Sequence, residues 1–358
     1  MKIIFNGTIF YKQKYGGISR YFYNLTKELI KKKTDFKIVT PFYKNLYLKD
    51  LNKNYKTGIY ISRFPDLKII DELQNKFNNY CISRFKPKII HETYYSNKIE
   101  EKNSIKILTV YDLIHEKFPD YYSNNKKKLF LNSFDYFICI SETTKRDLMD
   151  IYDIPDEKIK VIYLGGDHIL FNQNEIDIHT TNTPYILYVG SRDKYKSFET
   201  LIEAYSNSNI LQKDFKIICF GGGSFSKKEK DLFKKYKISK NIISIQGDDN
   251  ILFNLYKKSK CFVSTSLYEG FGLPIVEAMY SKCPVVLSDC NTHKEIAKEN
   301  VIYFKKQNSE SLRDVLEKDL YNDEKLEKLK EIAYLYVKFF NWENCAEETL
   351  NVYKSLSK

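Results

Sequence analysis

Twelve short apolar runs punctuate the chain, most of them ending in Gly, Asp or Ser. They are "KIIFNG" (2–7), "FKIVTP" (36–41), "KIIHETY" (88–94), "KILTVYD" (106–112), "YFICIS" (136–141), "KVIYLG" (160–165), "YILYVG" (185–190), "FKIICFGGG" (215–223), "NIISIQG" (241–247), "KCFVSTS" (260–266), "CPVVLSD" (283–289) and "VIYF" (301–304). They are nearly continuous in apolar character, not alternating, as strands covered on both faces of a parallel sheet are. Between them apolar residues fall at helical spacing. Over 18–30, Ile18, Tyr21, Phe22, Leu25 and Leu29 share one face. "SETTKRDLMDIY" (141–152) opens with a serine suited to cap a helix. The repeated strand–helix pattern predicts an α/β protein of doubly wound sheets. One long polar stretch, "GGDHILFNQNEIDIHTTNTP" (165–184), breaks the rhythm. It predicts a domain over 1–168, a linker over 169–184 and a second domain over 185–338. The closing 339–358 reads as a helix that packs through Cys345, Leu350 and Tyr353.

The 358 residues suffice for two domains, and 43% apolar and 15% aromatic residues can fill their cores. No run of about 18 apolar residues predicts a transmembrane helix. "MKIIFNGTIF" turns polar too early for a signal peptide and reads as a strand. Seven scattered cysteines without a CxxC pair suggest reduced, mostly buried thiols of a cytosolic protein. His91, His168, His179 and His293 lack metal-ligand spacing. His91 reads as core or cleft wall, and His293 as a helix cap. The net charge of +12 favours an anionic partner, whether nucleic acid, acidic lipid or a phosphorylated small molecule, although a Lys- and Asn-rich composition from AT-rich coding explains it equally. The lysines are spread along the chain instead of clustering with aromatics, which argues against nucleic acid.

The richest chemistry lies in "SLYEGFGLPIVEAMYSKCPVV" (266–286), between two predicted strands. Ligands of doubly wound sheets bind beyond the carboxyl ends of strands. Gly270 and Gly272 permit close backbone approach, and Pro274 suits the first turn of a helix. The free amides of such a turn attract a diphosphate. Glu269 in the loop and Glu277 one turn inside the helix can accept hydrogen bonds from vicinal hydroxyls, although either could simply complement the helix dipole. Arg192 and Lys196 stand four apart in "SRDKYK" (191–196) and can converge on one anion, or can be ordinary solvated charge. Asp248 and Asp249 are adjacent and read as turn residues. No D-x-D pair sits where a metal–diphosphate site would need one.

The segment from Glu269 to Glu277, followed by Ala278, resembles the E-x7-E element of the retaining glycosyltransferases of family 4. Those enzymes have the GT-B fold, two Rossmann-like domains facing a cleft. The resemblance covers nearly the whole chain. "YGGISRYFYNL" (15–25) is similar to the family's glycine-rich first loop, "ICISETTKRDL" (138–148) to its V-S-x-x-T-K-x-D-L segment and "YLGGDH" (163–168) to its interdomain N-G-V-D. "VGSRDKYKSFETLIEAY" (189–205) resembles its Arg/Lys diphosphate loop, and "NWENCAEETLNVY" (341–353) its helix returning to the N-terminal domain. The resemblance implies that Glu277 holds the donor ribose, and that Glu269 with the amides of Phe271 to Leu273 holds the transferred sugar and phosphates. Arg192 and Lys196 would neutralise the diphosphate leaving group, making a metal unnecessary. Gly16, Gly17, Gly190, Gly270 and Gly272 would bring backbone against the donor, with Gly16 and Gly17 also reading as a tight turn needing positive φ. "GGGS" (221–224) and "IQGDD" (245–249), with Gly247, end strands of the second domain and would border the base, or serve equally well as plain turns. The chain departs from the pattern at "VYDLIHEKFP" (110–119), where many relatives carry His-Asp and this sequence has Tyr111 and Asp112, with His115 a helical turn on. Tyr111, Asp112 and His115 are therefore acceptor-side candidates, Asp112 foremost.

The expectation is a retaining, metal-independent hexosyltransferase. It would move a sugar, mannose as the first choice, from a nucleotide sugar to a lipid-linked or polysaccharide acceptor in lipopolysaccharide, O-antigen or capsule synthesis. Lysines at 31–33 and in "NNKKKLF" (124–130) fit an anionic membrane surface, and equally read as ordinary solvated lysines; the expected setting is cytoplasmic, the first reading adding peripheral contact with the inner face of the cytoplasmic membrane. A sugar-nucleotide epimerase or a phosphorylase would fit the same architecture, and a nucleic-acid-binding protein is the non-enzyme alternative.

Overall fold

The computed structural model describes residues 1–63, 68–95, 101–122, 131–170, 181–192 and 194–358. The lysines of 124–130 and most of the predicted linker lie outside these. The chain forms two compact units, one of Met1–Leu164 with Trp342–Lys358, the other of Gly165–Asn341. Their division falls four residues before the predicted one, so that Asp167–Leu170 packs with the second unit.

All twelve apolar runs form strands. In the first unit six parallel strands run in the order Phe36–Val39, Ile3–Asn6, Ile89–Glu92, Ile105–Val110, Tyr136–Cys139, Ile159–Val161. In the second the order is Ile242–Ile245, Lys216–Phe220, Tyr185–Val189, Cys261–Ser264, Val285–Ser288, Ile302–Phe304. Counted in chain order, the second sheet runs 3-2-1-4-5-6, the dinucleotide-binding order, and the first runs 2-1-3-4-5-6. A separate ribbon of Phe42–Tyr43 with Ile59–Tyr60 escaped sequence reading, since two-residue strands carry no periodicity.

The helix Gly17–Lys31 buries Tyr21, Phe22, Leu25 and Leu29, the face its spacing predicts. Gly16 before it is extended (φ 168°), so this turn does not use the left-handed backbone expected of it. Its Cα instead lies where a Cβ would strike the Gln13 side chain. Ser141 caps Glu142–Tyr152 by accepting from the Thr144 amide at 3.0 Å. All seven cysteines are free, and six are buried.

The helix Trp342–Leu356 belongs to the first unit and buries Trp342, Cys345, Leu350 and Tyr353. Its indole lies 6.1 Å from the Tyr21 ring. The Tyr353 hydroxyl meets His91 Nδ1 at 2.5 Å, and Nε2 meets the Thr109 hydroxyl at 2.8 Å. Full burial lowers the His91 pKa to about 3, so the ring is neutral and works as a core hydrogen-bonding bridge. Tyr353→Phe leaves one ring nitrogen unpaired in the core. It should cost about 1–3 kcal/mol, read as a lower urea midpoint; an unchanged midpoint would refute the bridge.

Candidate functional site in the second unit

The strand order of the second sheet reverses between Tyr185–Val189 and Cys261–Ser264. The loops leaving these neighbours carry Gly190–Lys196 and Thr265–Gly272, so the predicted donor residues start from adjacent carboxyl ends. Short bonds stitch the loops together: the Leu267 amide donates to the Tyr195 carbonyl at 2.8 Å, and the Thr265 hydroxyl to the Lys196 carbonyl at 2.7 Å.

Lys196 Nζ lies 2.6 Å from Glu269 Oε1, and both side chains are largely buried (19% and 13% exposed). Ser266 donates to the same oxygen at 2.6 Å, and Thr292 donates to the Glu269 carbonyl at 2.5 Å. Burial pushes the Glu269 pKa up, but Lys196, His293 and the Ser266 hydroxyl together hold it below the ordinary carboxylate value. Glu269 is therefore ionised at neutral pH.

The helix Leu273–Tyr280 begins at Gly272, whose φ of 91° lies in the left-handed region, with Pro274 in its first turn as predicted. Phe271 is buried against Phe340, ring centroids 5.8 Å apart. Glu277 is 1% exposed. His168 Nε2 donates to its Oε1 at 3.0 Å and the Tyr256 hydroxyl to its Oε2 at 3.3 Å. His168 reaches Glu277 because the chain at Gly166 presses onto this helix, where a Cβ would come within 2.7 Å of Val276 Cγ2. Neither His168 nor Tyr256 was singled out from sequence. The absence of metal spacing around His168 hid its partner, which is 109 residues away.

Arg192 and Lys196 turn to different partners. Arg192 donates to the carbonyls of Gly221 (3.1 Å), Gly222 (3.3 Å), Gly223 (3.1 Å) and Ser224 (3.3 Å), and its Nε to Glu229. Its guanidinium lies 4.9 Å from the Phe225 ring centroid. Glu229 also closes a capping box with Ser226, a pattern legible as S-x-x-E. Gly190 has φ 117°, and Gly247 abuts Ile251 just before Asp248, which caps Asp249–Lys258. His293 is not the cap expected of it. It is fully buried inside Asn291–Ala297, whose cap position is Cys290.

In the first unit the Tyr111 hydroxyl is turned into the core and donates to the Thr93 carbonyl at 3.2 Å. Asp112 is half-buried and accepts from the Ile114 amide at 3.1 Å. His115 is exposed and stacks on Tyr122 with centroids 4.3 Å apart. Missed from sequence was a buried group where this sheet's own order reverses. Asn6 Nδ2 donates to Glu92 Oε1 at 2.6 Å, and Asn78 Nδ2 to Asn6 Oδ1 at 2.6 Å.

Two doubly wound units, one with a carboxylate–lysine pair at its switch point, define a protein of the GT-B class. Family models agree. "Glycosyl transferases group 1" matches residues 172–336 and "Glycosyltransferase Family 4" matches 15–168, together most of the chain. The protein belongs to this glycosyltransferase family. The O-antigen chain mannosyltransferase B of Escherichia coli is 28% identical over 175 residues, 48% of this chain and 46% of that one. The match thus spans about half the length of that curated relative. The glycosyltransferase of Rickettsia africae superposes with TM-score 0.75 at 20% identity over 100% of this chain and 98% of that one. Anabaena HepE, crystallised with UDP and glucose, does so with TM-score 0.77 at 14% identity over 99% of each chain. These likenesses are of fold.

Because its folded pKa is lowered, Glu269 contributes stability above the ordinary carboxylate pKa and loses it as pH falls through the folded value. Glu269→Gln should melt below the wild type at neutral pH, and the gap should close on acidification through that window. A gap independent of pH would refute the ionised pair.

Proposed function

We propose that the protein is a retaining, nucleotide-sugar-dependent hexosyltransferase of surface-glycan synthesis, with mannose as the first candidate sugar and a lipid-linked or polysaccharide acceptor. The observation that carries this reading is the largely buried Lys196–Glu269 pair at the second sheet's switch point, with the buried Glu277 in the helix that follows the Glu269 loop. The family supports glycosyl transfer, the E. coli relative's name supports mannose, and the UDP-bound fold neighbour supports a nucleotide donor. Glu277 would accept from the ribose hydroxyls, and Glu269 from hydroxyls of the transferred sugar. The backbone from Phe271 to Leu273 would meet the phosphates at the helix start. Lys196 would carry the charge that grows on the leaving diphosphate. Arg192 would support it by fixing the Gly221–Ser224 loop beside the base. The bond from the anomeric carbon to phosphate oxygen breaks with its electron pair going to the nucleoside diphosphate. The acceptor hydroxyl bonds to the same face, and its proton passes to the departing phosphate. Asp112 is the acceptor-side candidate, a cytoplasmic setting with peripheral membrane contact fits such an acceptor, and the reaction would need no metal.

A thermal-shift panel of GDP, UDP and ADP sugars tests the reading, since a bound donor stabilises by mass action. One class should raise the melting temperature of the wild type but not of Glu277→Ala; no shift with any of them defeats the assignment. Lys196→Ala should lower turnover roughly 10²–10³-fold, with Lys196→Arg rescuing poorly because its planar fork places donors differently. Normal transfer by the alanine variant would make the lysine a bystander. Turnover should also survive excess EDTA; loss restored by Mn²⁺ or Mg²⁺ would show that a metal, not the lysine, carries the diphosphate charge.

A further inference from the structure

Two helices and one tight turn of the second unit close on the Glu277 carboxylate. The helix Leu273–Tyr280 carries it. Tyr256, on Asp249–Lys258, brings its hydroxyl to Oε2 at 3.3 Å, and its ring stands edge-on to Phe262, centroids 5.7 Å apart. His168, in the turn Asp167–Leu170, brings Nε2 to Oε1 at 3.0 Å. All three residues are buried. The turn is tied down just upstream of the histidine. The Gly166 amide donates to the Phe340 carbonyl at 2.8 Å, and the Tyr280 hydroxyl donates to the same carbonyl at 3.3 Å. Gly166 lies so close to the helix that a Cβ would come within 2.7 Å of Val276 Cγ2 and 3.1 Å of Tyr280 Cδ2. That close approach sets the reach of His168, two residues on. The last torsion of a glutamate is soft and would otherwise let the carboxylate plane rotate. A contact on each oxygen, from groups on separate elements, fixes that plane.

We infer that His168 is a positioning residue for Glu277 and, through it, sets the selectivity of the donor site for ribonucleotides over deoxyribonucleotides. The selectivity rests on the reading of Glu277 as the acceptor for the ribose hydroxyls; the hydrogen bond from His168 does not. A ribose offers two adjacent hydroxyls at a fixed spacing, and a deoxyribose offers one. A carboxylate whose plane can turn follows whichever hydroxyl remains and recovers much of the lost bond. A carboxylate held at both oxygens cannot follow. The missing hydroxyl then leaves a buried acceptor short of its donor, which is the mismatch a polar site rejects most strongly. An imidazole suits this work, because a planar ring on two torsions points its N–H one way once the backbone is fixed. Gly166 fixes that backbone. It has no side chain to offer a ligand, yet only its lack of a Cβ lets the turn lie close enough to Leu273–Tyr280 for the histidine to reach Glu277.

Calorimetric titration of the full chain with UDP, GDP and ADP, and with the 2′-deoxy and 3′-deoxy forms of each, tests the selectivity. The ribose form of the matching base should bind the wild type roughly 10- to 100-fold more tightly than its deoxy forms, the range of one hydrogen bond to a charged group. In His168→Phe, which keeps a planar ring without a donor, the ratio should fall to about threefold or less, with the loss borne by the ribose form. His168→Gln, whose amide can donate from a similar place, should restore the ratio. Gly166→Ala should collapse it too, although alanine adds no polar group; the two His168 variants carry the test should that chain fail to fold. Equal weakening of ribose and deoxy forms, with the ratio intact, marks a merely structural role and overturns the inference while the donor reading stands. A wild type that binds a nucleotide without preferring ribose defeats the role given to Glu277 and this inference with it. Side-chain ¹⁵N NMR of the ligand-free chain decides the hydrogen bond separately. The His168 ring, identified by its loss in His168→Phe, should carry a proton on Nε2, and that signal should shift in Glu277→Gln. An unprotonated Nε2 overturns the positioning role even where ribose is preferred. If none of the nucleotides binds, the donor reading and the selectivity fall together, and the NMR result still decides whether His168 holds Glu277.

Discussion

A parallel strand can rejoin its neighbour only through a crossover that leaves from its carboxyl end. In the second unit the chain winds one way from Tyr185–Val189 to Ile242–Ile245 and then returns to the other side with Cys261–Ser264. The crossovers on the two sides start from neighbouring strand ends and diverge, leaving both loops free at one edge of the sheet. Lys196 and Glu269 are 73 residues apart and meet because of that reversal. The first sheet turns between Ile3–Asn6 and Ile89–Glu92, and there too buried polar side chains, Asn6 and Glu92, gather at the strand ends.

Once loops meet inside a folded unit, their charges must be neutralised, because a buried carboxylate without partners is far costlier than a hydrogen bond can offset. Each acid in the second unit's site is met by its own set of donors. Glu269 has Lys196 and Ser266, Glu277 has His168 and Tyr256, and Glu229 has Arg192 and Ser226. Such sets add little net stability over well-packed apolar residues, yet removing one member costs about 3–5 kcal/mol, because the remaining charge stays buried. What they fix is direction. A carboxylate with both oxygens oriented, or clamped from two sides, presents the same lone pairs to a ligand each time, which is the requirement of a preorganised polar site.

The strands were legible because burial on both faces leaves an uninterrupted apolar signal, and Ile18–Leu29 showed the helix period plainly. Glu269, Glu277 and Pro274 were legible because one loop and one short helix hold them within nine residues. The partners were not. His168, Tyr256 and Glu229 come to the site from other segments of the unit, and a local pattern holds no trace of a contact made between distant segments. His293 was misread for the same reason: next to Cys290 it looks like a cap, whereas its ring turns inward to serines on two strands. Gly16 was misread in the opposite sense, since an extended glycine and a left-handed one look alike in sequence.

Arg192 and Lys196 illustrate how two cations in one loop come to do different work. A guanidinium is a rigid planar fork. Here its N–H groups serve four successive carbonyls and one carboxylate while its face lies over Phe225, so moving it would release five acceptors at once. It is thereby part of the fold of the Gly221–Ser224 loop. An ammonium is a point charge on a flexible stem with three donors. Lys196 uses one of them on Glu269 and can swing without unfolding anything. Of the two, only the lysine combines a buried counter-charge with the freedom to share its proton donors, and only it can follow a negative charge that moves during a reaction.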